Sequence, residues 1–265
     1  MMNSHNTAII SSKASIGKNV TIGPYCIVND NVKINDNVKL IAHVYIDGNT
    51  TIGESCVFYP YSSIGTSPQD LKYKGEATKL IIGANNTFRE YVTINPGTEG
   101  GGSITSIGNN CLFMINSHVA HDCIIGNNVI MVNNASLAGH VVIEDYAVMG
   151  ALSGAHQFCR IGKHSMIGGL SGVDSDVIPY GTVVGNRAYL SGLNIIGLKR
   201  RGFSKDIING LRKAYGLLFL STDGTFSERI KEVSDEFSSN EPVQEIVKFL
   251  SKEKSRSICK PNNVI

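Results

Sequence analysis

The chain has 265 residues, 42% of them apolar, and a formal net charge of +2, so overall charge suggests neither nucleic acid nor an anionic membrane as partner. No run of about 18 apolar residues occurs, which excludes a membrane-spanning helix. The opening Met-Met-Asn-Ser-His-Asn-Thr lacks a basic segment followed by an apolar one, so no signal peptide is expected and a cytoplasmic protein is.

From Ile10 onward every sixth residue is large and apolar: Ile16, Ile22, Val28, Ile34, Leu40, Ile46, Ile52, Phe58 and Ile64. A second register starts at Ile107 and runs through Phe113, Val119, Ile125, Met131, Leu137, Ile143, Met149, Ala155, Ile161 and Ile167 to Val173. Four residues after each lead position comes a small or β-branched one, such as Val20, Val32, Val38, Val44, Val129 and Ala147. The residue just after the lead is often Gly, Asn or Asp, types that tolerate the dihedrals of a tight corner. A short strand and a corner every six residues give a flat-sided coil, with three hexads per triangular turn of 18 residues. Stacked turns pair in parallel at about 4.8 Å, with both rows pointing inward. The expectation is an all-β parallel β-helix from about residue 10 to about 184. Five cysteines (Cys26, Cys56, Cys111, Cys123 and Cys159) fall in the small inward row and read as buried reduced thiols, while Cys259 falls in the polar tail.

Two segments leave the frame. Continuing it would put Asp70 and Glu76 at inward lead positions, so residues 66–79, TSPQDLKYKGEATK, must loop out before Ile82. The second excursion, residues 95–105, NPGTEGGGSIT, reads as either functional or inert. The repeat fades after Val184, and helical signals follow. Ser204 caps a helix carrying Ile207, Ile208, Leu211, Tyr215 and Leu218 on one face; Thr225 and Glu228 form a capping box; Asn240-Glu241-Pro242 opens a third helix. The expected division is a β-helix over 1–196 and a small helical domain over 197–265.

Four histidines, His118, His121, His140 and His156, occupy neither inward row, so they are expected to face outward or to sit at corners. Residues 18 apart stack vertically, placing His121 beneath Gly139, Gly139 beneath Gln157, and Asp122 beneath His140. A histidine beside a carboxylate is a poised general base, and the backbone N–H of Gly139 above it could hold an oxyanion. Such a site points to acyl transfer. A three-histidine zinc site of the carbonic anhydrase type needs two histidines five apart, and no two here have that spacing, so no metal is expected.

The strings QDLKYKGE (69–76), NSHVAHDC (116–123), LAGH (137–140), HQFC (156–159) and GLKRRGF (197–203) carry a resemblance over nearly the whole chain. The chain resembles bacterial UDP-N-acetylglucosamine O-acyltransferases, which catalyse the first step of lipid A assembly. The resemblance implies a left-handed β-helix and a homotrimer with active sites between neighbours. It also implies transfer of a 3-hydroxyacyl group from acyl carrier protein, whose phosphopantetheine bears it, to the 3-hydroxyl of UDP-N-acetylglucosamine, with no further cofactor. By motif, His121 becomes the general base, Asp122 its support and Gly139 the oxyanion donor. His118, His140, His156 and Gln157 would line the sugar and acyl cleft. Gln69, Asp70 and Lys72 would bind substrate, with Lys72 suited to a phosphate, and Asn194, Arg200 and Arg201 would lie near the nucleotide or partner.

Two positions depart from the family pattern. Ile196 stands where an acidic residue is frequent and cannot accept a hydrogen bond. Arg187 replaces a frequent histidine near the end of the acyl groove. Gly169, expected one coil below Arg187, matches a chain-length stop, and its lack of a side chain favours a longer acyl chain. Three alternatives remain open on sequence: the N-acyltransferase acting later in the pathway, which typically carries an extra domain before the hexads; an acetyl-CoA-dependent transferase, which would lack the QDLKYKGE loop; and a non-catalytic scaffold, which would not organise His121, Asp122 and Gly139 on one wall.

Overall fold

The computed structural model describes residues 3–252 and 255–262. Residues 3–193 form a β-helix of three largely parallel sheets, with 11, 9 and 8 strands among the described residues. Most strands are two residues long, as at Thr21–Ile22 and Lys39–Leu40, and each pairs in parallel with a strand one coil away. The lead row points inward: Ile22, Leu40, Phe58, Phe88 and Phe113 are buried, and the three phenylalanines stack at 4.5 and 4.9 Å. Burying one such side chain contributes roughly 1.5–3 kcal/mol.

Register shows how much chain each excursion adds. Leu40 pairs with Phe58, a step of 18, but Phe58 pairs with Phe88, a step of 30, so the first excursion inserts 12 residues. Phe88 pairs with Phe113, a step of 25, so the second inserts 7. Strands Lys79–Ile82 and Ile104–Ile107 close the two excursions, so Lys79, Ile104 and Thr105 are already paired rather than looped out.

The corners differ from expectation in one respect. The residue in the left-handed region lies three places after the lead, as at Asn19, Asn31 and Asn37 (φ 54°, 61° and 60°), not one place after. Glycine directly after the lead answers a different need. A Cβ on Gly23 would lie 1.7 Å from the carbonyl oxygen of Ile41 in the next coil, so the coils approach too closely there for a side chain. Where the corner is aromatic, the rings stack in columns, as in Tyr25–His43–Tyr61–Tyr91, at 5.0–5.2 Å.

The 18-residue step fails near the end of the prism. Met166 pairs with Thr182 and Ile167 with Val183, a step of 16, so Gly185 rather than Arg187 lies one coil from Gly169. Strand Tyr189–Leu193 then folds back antiparallel on Gly181–Val184. Four α-helices follow among the described residues, α1 (Ile195–Arg200), α2 (Lys205–Tyr215), α3 (Phe226–Glu236) and α4 (Glu241–Ser251), with a π-helical segment at Gly216–Leu220 directly after α2. Ser204 caps α2, Thr225 and Glu228 form the capping box of α3, and Asn240 caps α4 with Pro242 in its first turn. Segment 257–260 returns to the prism, where Ile258 bridges Asp176 and the N–H of Leu190 donates to the Lys260 carbonyl. Cys259 is therefore buried, not in a solvated tail. All six cysteines are buried free thiols, and burial pushes Cys123 and Cys159 up to about 12, which leaves them unreactive. No helix among the described residues is long and apolar enough to cross a membrane.

Candidate active site

The coil brings His121 and Gly139 together. Strand His118–Val119 pairs with Ser136–Leu137, which sets Gly139 over His121. A Cβ on Gly139 would lie 2.5 Å from the imidazole Cε1 and 2.7 Å from Nε2. Only glycine leaves room for this ring. The Gly139 N–H donates to no backbone carbonyl among the described residues. On the other edge of the ring, Nδ1 lies 2.8 Å from the Asp122 Oδ2. A carboxylate there accepts the Nδ1 proton and leaves the Nε2 lone pair on the side of Gly139.

Asp122 sits at a left-handed corner (φ 60°), which a short polar side chain tolerates, and it is buried. Its support comes from the second excursion. The Thr98 N–H donates to Oδ1 at 2.9 Å, the Thr98 hydroxyl donates to Oδ2 at 2.6 Å, and the Asp122 N–H donates to the Thr105 hydroxyl at 2.8 Å. Gly101 packs against the same carboxylate so closely that a Cβ would lie 2.1 Å from Cγ. The second excursion is not inert decoration.

The other histidines surround this pair. His118 shares a 2.7 Å hydrogen bond with the Thr93 hydroxyl, and burial holds its pKa below the usual imidazole value, with His121 adding to the effect. His140 meets His121 edge-on at 5.1 Å and stacks on Phe158 at 4.4 Å; burial lowers its pKa too, against an opposing pull from Asp122. His156 is exposed and accepts from Arg256 at 2.6 Å, while Arg256 also donates to the Gln157 carbonyl. Gln69, His118, His121, Gly139 and Gln157 line one open cavity of about 380 Å³.

Asn194, Arg200 and Arg201 lie elsewhere. They line a second cavity of about 750 Å³ with Ile130, Val148, Met166 and Ile196. Asp70 and Lys72 stay on the first excursion, Lys72 exposed. Arg187 is 90% exposed and 3.8 Å from Asp174. Gly169 is exposed, and a Cβ there would meet only the Ala151 carbonyl, at 3.3 Å.

Against known proteins, a family described as "Udp N-acetylglucosamine O-acyltransferase; Domain 2" matches residues 176–259, and bacterial transferase hexapeptide repeats match residues 13–48 and 104–139. The acyl-(acyl carrier protein)–UDP-N-acetylglucosamine O-acyltransferase of Rickettsia canadensis is 53% identical over 97% of both chains. That of Caulobacter vibrioides is 48% identical over the full length of both. This chain belongs to that O-acyltransferase family. Solved structures agree: a UDP-N-acetylglucosamine acyltransferase superposes with a TM-score of 0.94 at 43% identity, covering 98% of this chain and 100% of that one. The Campylobacter jejuni UDP-N-acetylglucosamine acyltransferase gives 0.92 at 38% identity, with the same coverage of each.

Thr93, Thr98 and Arg256 are among the residues of this candidate site that the sequence did not single out. Thr93 was within reach, because removing the seven inserted residues places it one coil from His118. Thr98 and Arg256 carried no periodic signal, since both lie outside the hexads. The nitrogens of His121 and His140 and the Asp122 carboxylate lie within 4.8 Å of one another, close enough for a cation. However, both Asp122 oxygens already accept from Thr98, and Oδ2 also holds the His121 ring. Both Asp122 oxygens are thus already engaged as hydrogen-bond acceptors.

Proposed function

We propose that this O-acyltransferase moves a 3-hydroxyacyl group from acyl carrier protein to the 3-hydroxyl of UDP-N-acetylglucosamine, the first step of lipid A synthesis. The observation that carries the reading is the His121 imidazole, held by Asp122 on one edge and covered by a bare Gly139 on the other. A sugar hydroxyl is a weak nucleophile. His121 Nε2 takes its proton as the oxygen attacks the thioester carbon, and Asp122 stabilises the imidazolium that forms. The carbonyl oxygen gains negative charge, which the Gly139 N–H accommodates. Collapse of the tetrahedral adduct breaks the C–S bond, and the imidazolium returns the proton to the departing phosphopantetheine thiolate. Base, support and oxyanion donor are all protein groups, so the step needs neither metal nor covalent acyl-enzyme.

Gln69, His118, His140, His156 and Gln157 surround that step, and Lys72 is suited to a phosphate. The amphiphilic second cavity supports a role for Asn194, Arg200 and Arg201 in holding nucleotide or acyl chain. Ile196 there offers no acceptor, so nucleotide contacts fall to its neighbours. The open surroundings of Gly169 support a longer acyl chain. Family membership supports a left-handed coil, the homotrimer, and the division near residue 196. Leu71, an apolar side chain fully exposed on the first excursion, supports a contact with a neighbouring subunit. Six free thiols support a cytoplasmic setting.

The test is a transfer assay with purified protein, UDP-N-acetylglucosamine, and either 3-hydroxyacyl carrier protein or 3-hydroxyacyl-CoA. Turnover with the carrier protein at least tenfold above the CoA ester is expected. Equal or better use of the CoA ester would overturn the donor assignment.

A further inference from the structure

Near the end of the prism, a second buried histidine lies outside the cleft just described. His164 occupies a left-handed corner (φ 56°) and is 6% exposed. Its ring lies between Tyr146, at 4.7 Å, and Tyr180, at 5.5 Å, both nearly parallel to it, and Phe203 packs edge-on at 5.2 Å.

Its N–H donates to the Asp145 carbonyl of the neighbouring coil at 2.9 Å, and its other two hydrogen bonds go to one short helix. The Asn194 Nδ2 donates to the His164 carbonyl at 3.0 Å, and the Arg201 Nη1 donates to the His164 Nδ1 at 3.0 Å. Asn194 is the N-cap of α1 and Arg201 its C-cap, so one residue holds both ends of the six-residue helix that walls the second cavity. Arg201 is pinned further by the Tyr146 carbonyl, which accepts from Nη2 at 2.9 Å, and by the Tyr146 ring beneath its guanidinium.

The choice of acceptors matters. A guanidinium has five N–H donors, and here two go to uncharged acceptors. Burial pushes His164 down to about 4, so the ring stays neutral near pH 7. A carboxylate in its place would hold Arg201 equally well but would cancel its charge. A neutral imidazole fixes the guanidinium and leaves three donors and a full positive charge at the cavity edge.

We propose that His164 is a positioning residue of this transferase, fixing α1 and directing the Arg201 charge toward the anionic sugar nucleotide. The inference rests on the substrate proposed above and deepens it.

His164→Phe isolates the claim. Phe158 already occupies a left-handed corner, so the corner accepts a phenylalanine, which retains the stack but deletes the acceptor. The expected result is a KM for UDP-N-acetylglucosamine raised about tenfold, a kcat within about threefold of wild type, and a Tm close to wild type. If His164 acts through Arg201, the double variant His164→Phe/Arg201→Ala has the same KM as Arg201→Ala alone. An unchanged KM in His164→Phe, or penalties that multiply in the double variant, would overturn the inference. Should His164→Phe not fold, His164→Asn suits the corner and keeps an acceptor; its KM must lie below that of Arg201→Ala, and an equal KM overturns the inference. Wild-type protein is the control that separates the two levels. If it does not turn over UDP-N-acetylglucosamine, the substrate assignment falls and this inference with it. If it does, a failure of the variants concerns His164 alone.

Discussion

His121 and His164 are both mostly buried histidines hydrogen-bonded through Nδ1, and their partners give them opposite work. His121 faces a carboxylate, so its proton sits on Nδ1 and the Nε2 lone pair is left beside the cleft under Gly139. His164 faces a guanidinium, so its Nδ1 is the acceptor, and the rings on either side of it keep solvent away. The first arrangement suits a group that takes and returns a proton. The second suits a neutral prop. The sign of the partner charge and the free space above the ring separate a base from a support.

The most damaging way to break the His121 side of this comparison, short of removing the ring, is to disturb Asp122. Gly101→Ala places a methyl against the carboxylate, so kcat is expected to fall about a hundredfold as Asp122 loses its hold on His121. Gly100→Ala is the control, because a Cβ there meets nothing within 4 Å and should leave kcat unchanged. Equal kcat values for the two variants would contradict the assigned role of the second excursion.

The His164 side predicts a pH dependence of stability. The folded-state pKa of about 4 lies below the unfolded value of about 6.5. Between those values the unfolded chain binds the additional proton, so His164 contributes stability fully above about pH 6.5 and loses it as pH falls toward 4. Urea midpoints measured over that range should fall less steeply for His164→Phe than for wild type. Parallel curves would show that His164 is not held neutral.

The smallest expected effect sharpens the His121 assignment against a metal reading. EDTA followed by gel filtration should leave kcat within about twofold, because the Asp122 oxygens are committed to Thr98 and His121. Loss of activity restored by a divalent cation would contradict that account.

Much of this was legible in the sequence because the hexad is a coordinate system. It placed the inward rows, the two excursions and the stack of Gly139 over His121, while the caps of α2, α3 and α4 were legible from their own capping residues beyond the repeat. It misplaced the left-handed corner because Gly, Asn and Asp after the lead resemble turn residues, whereas the glycines there relieve contact between coils. It failed for Gly169 and Arg187 because the last coil shortens, a change that no apolar spacing announces. It missed His164 because that histidine lies in a different corner column from Asp122 and His140, and the residues that reveal its role, Tyr146, Tyr180 and Arg201, come from the coils on either side and from the end of a helix.

His121 as the base is the assignment on which the proposed transfer depends most. Turnover of UDP-N-acetylglucosamine with 3-hydroxyacyl carrier protein by His121→Ala, at matched Tm, tests it directly. A loss of kcat of about a thousandfold or more is predicted. A residual rate above about one tenth of wild type would contradict the assignment.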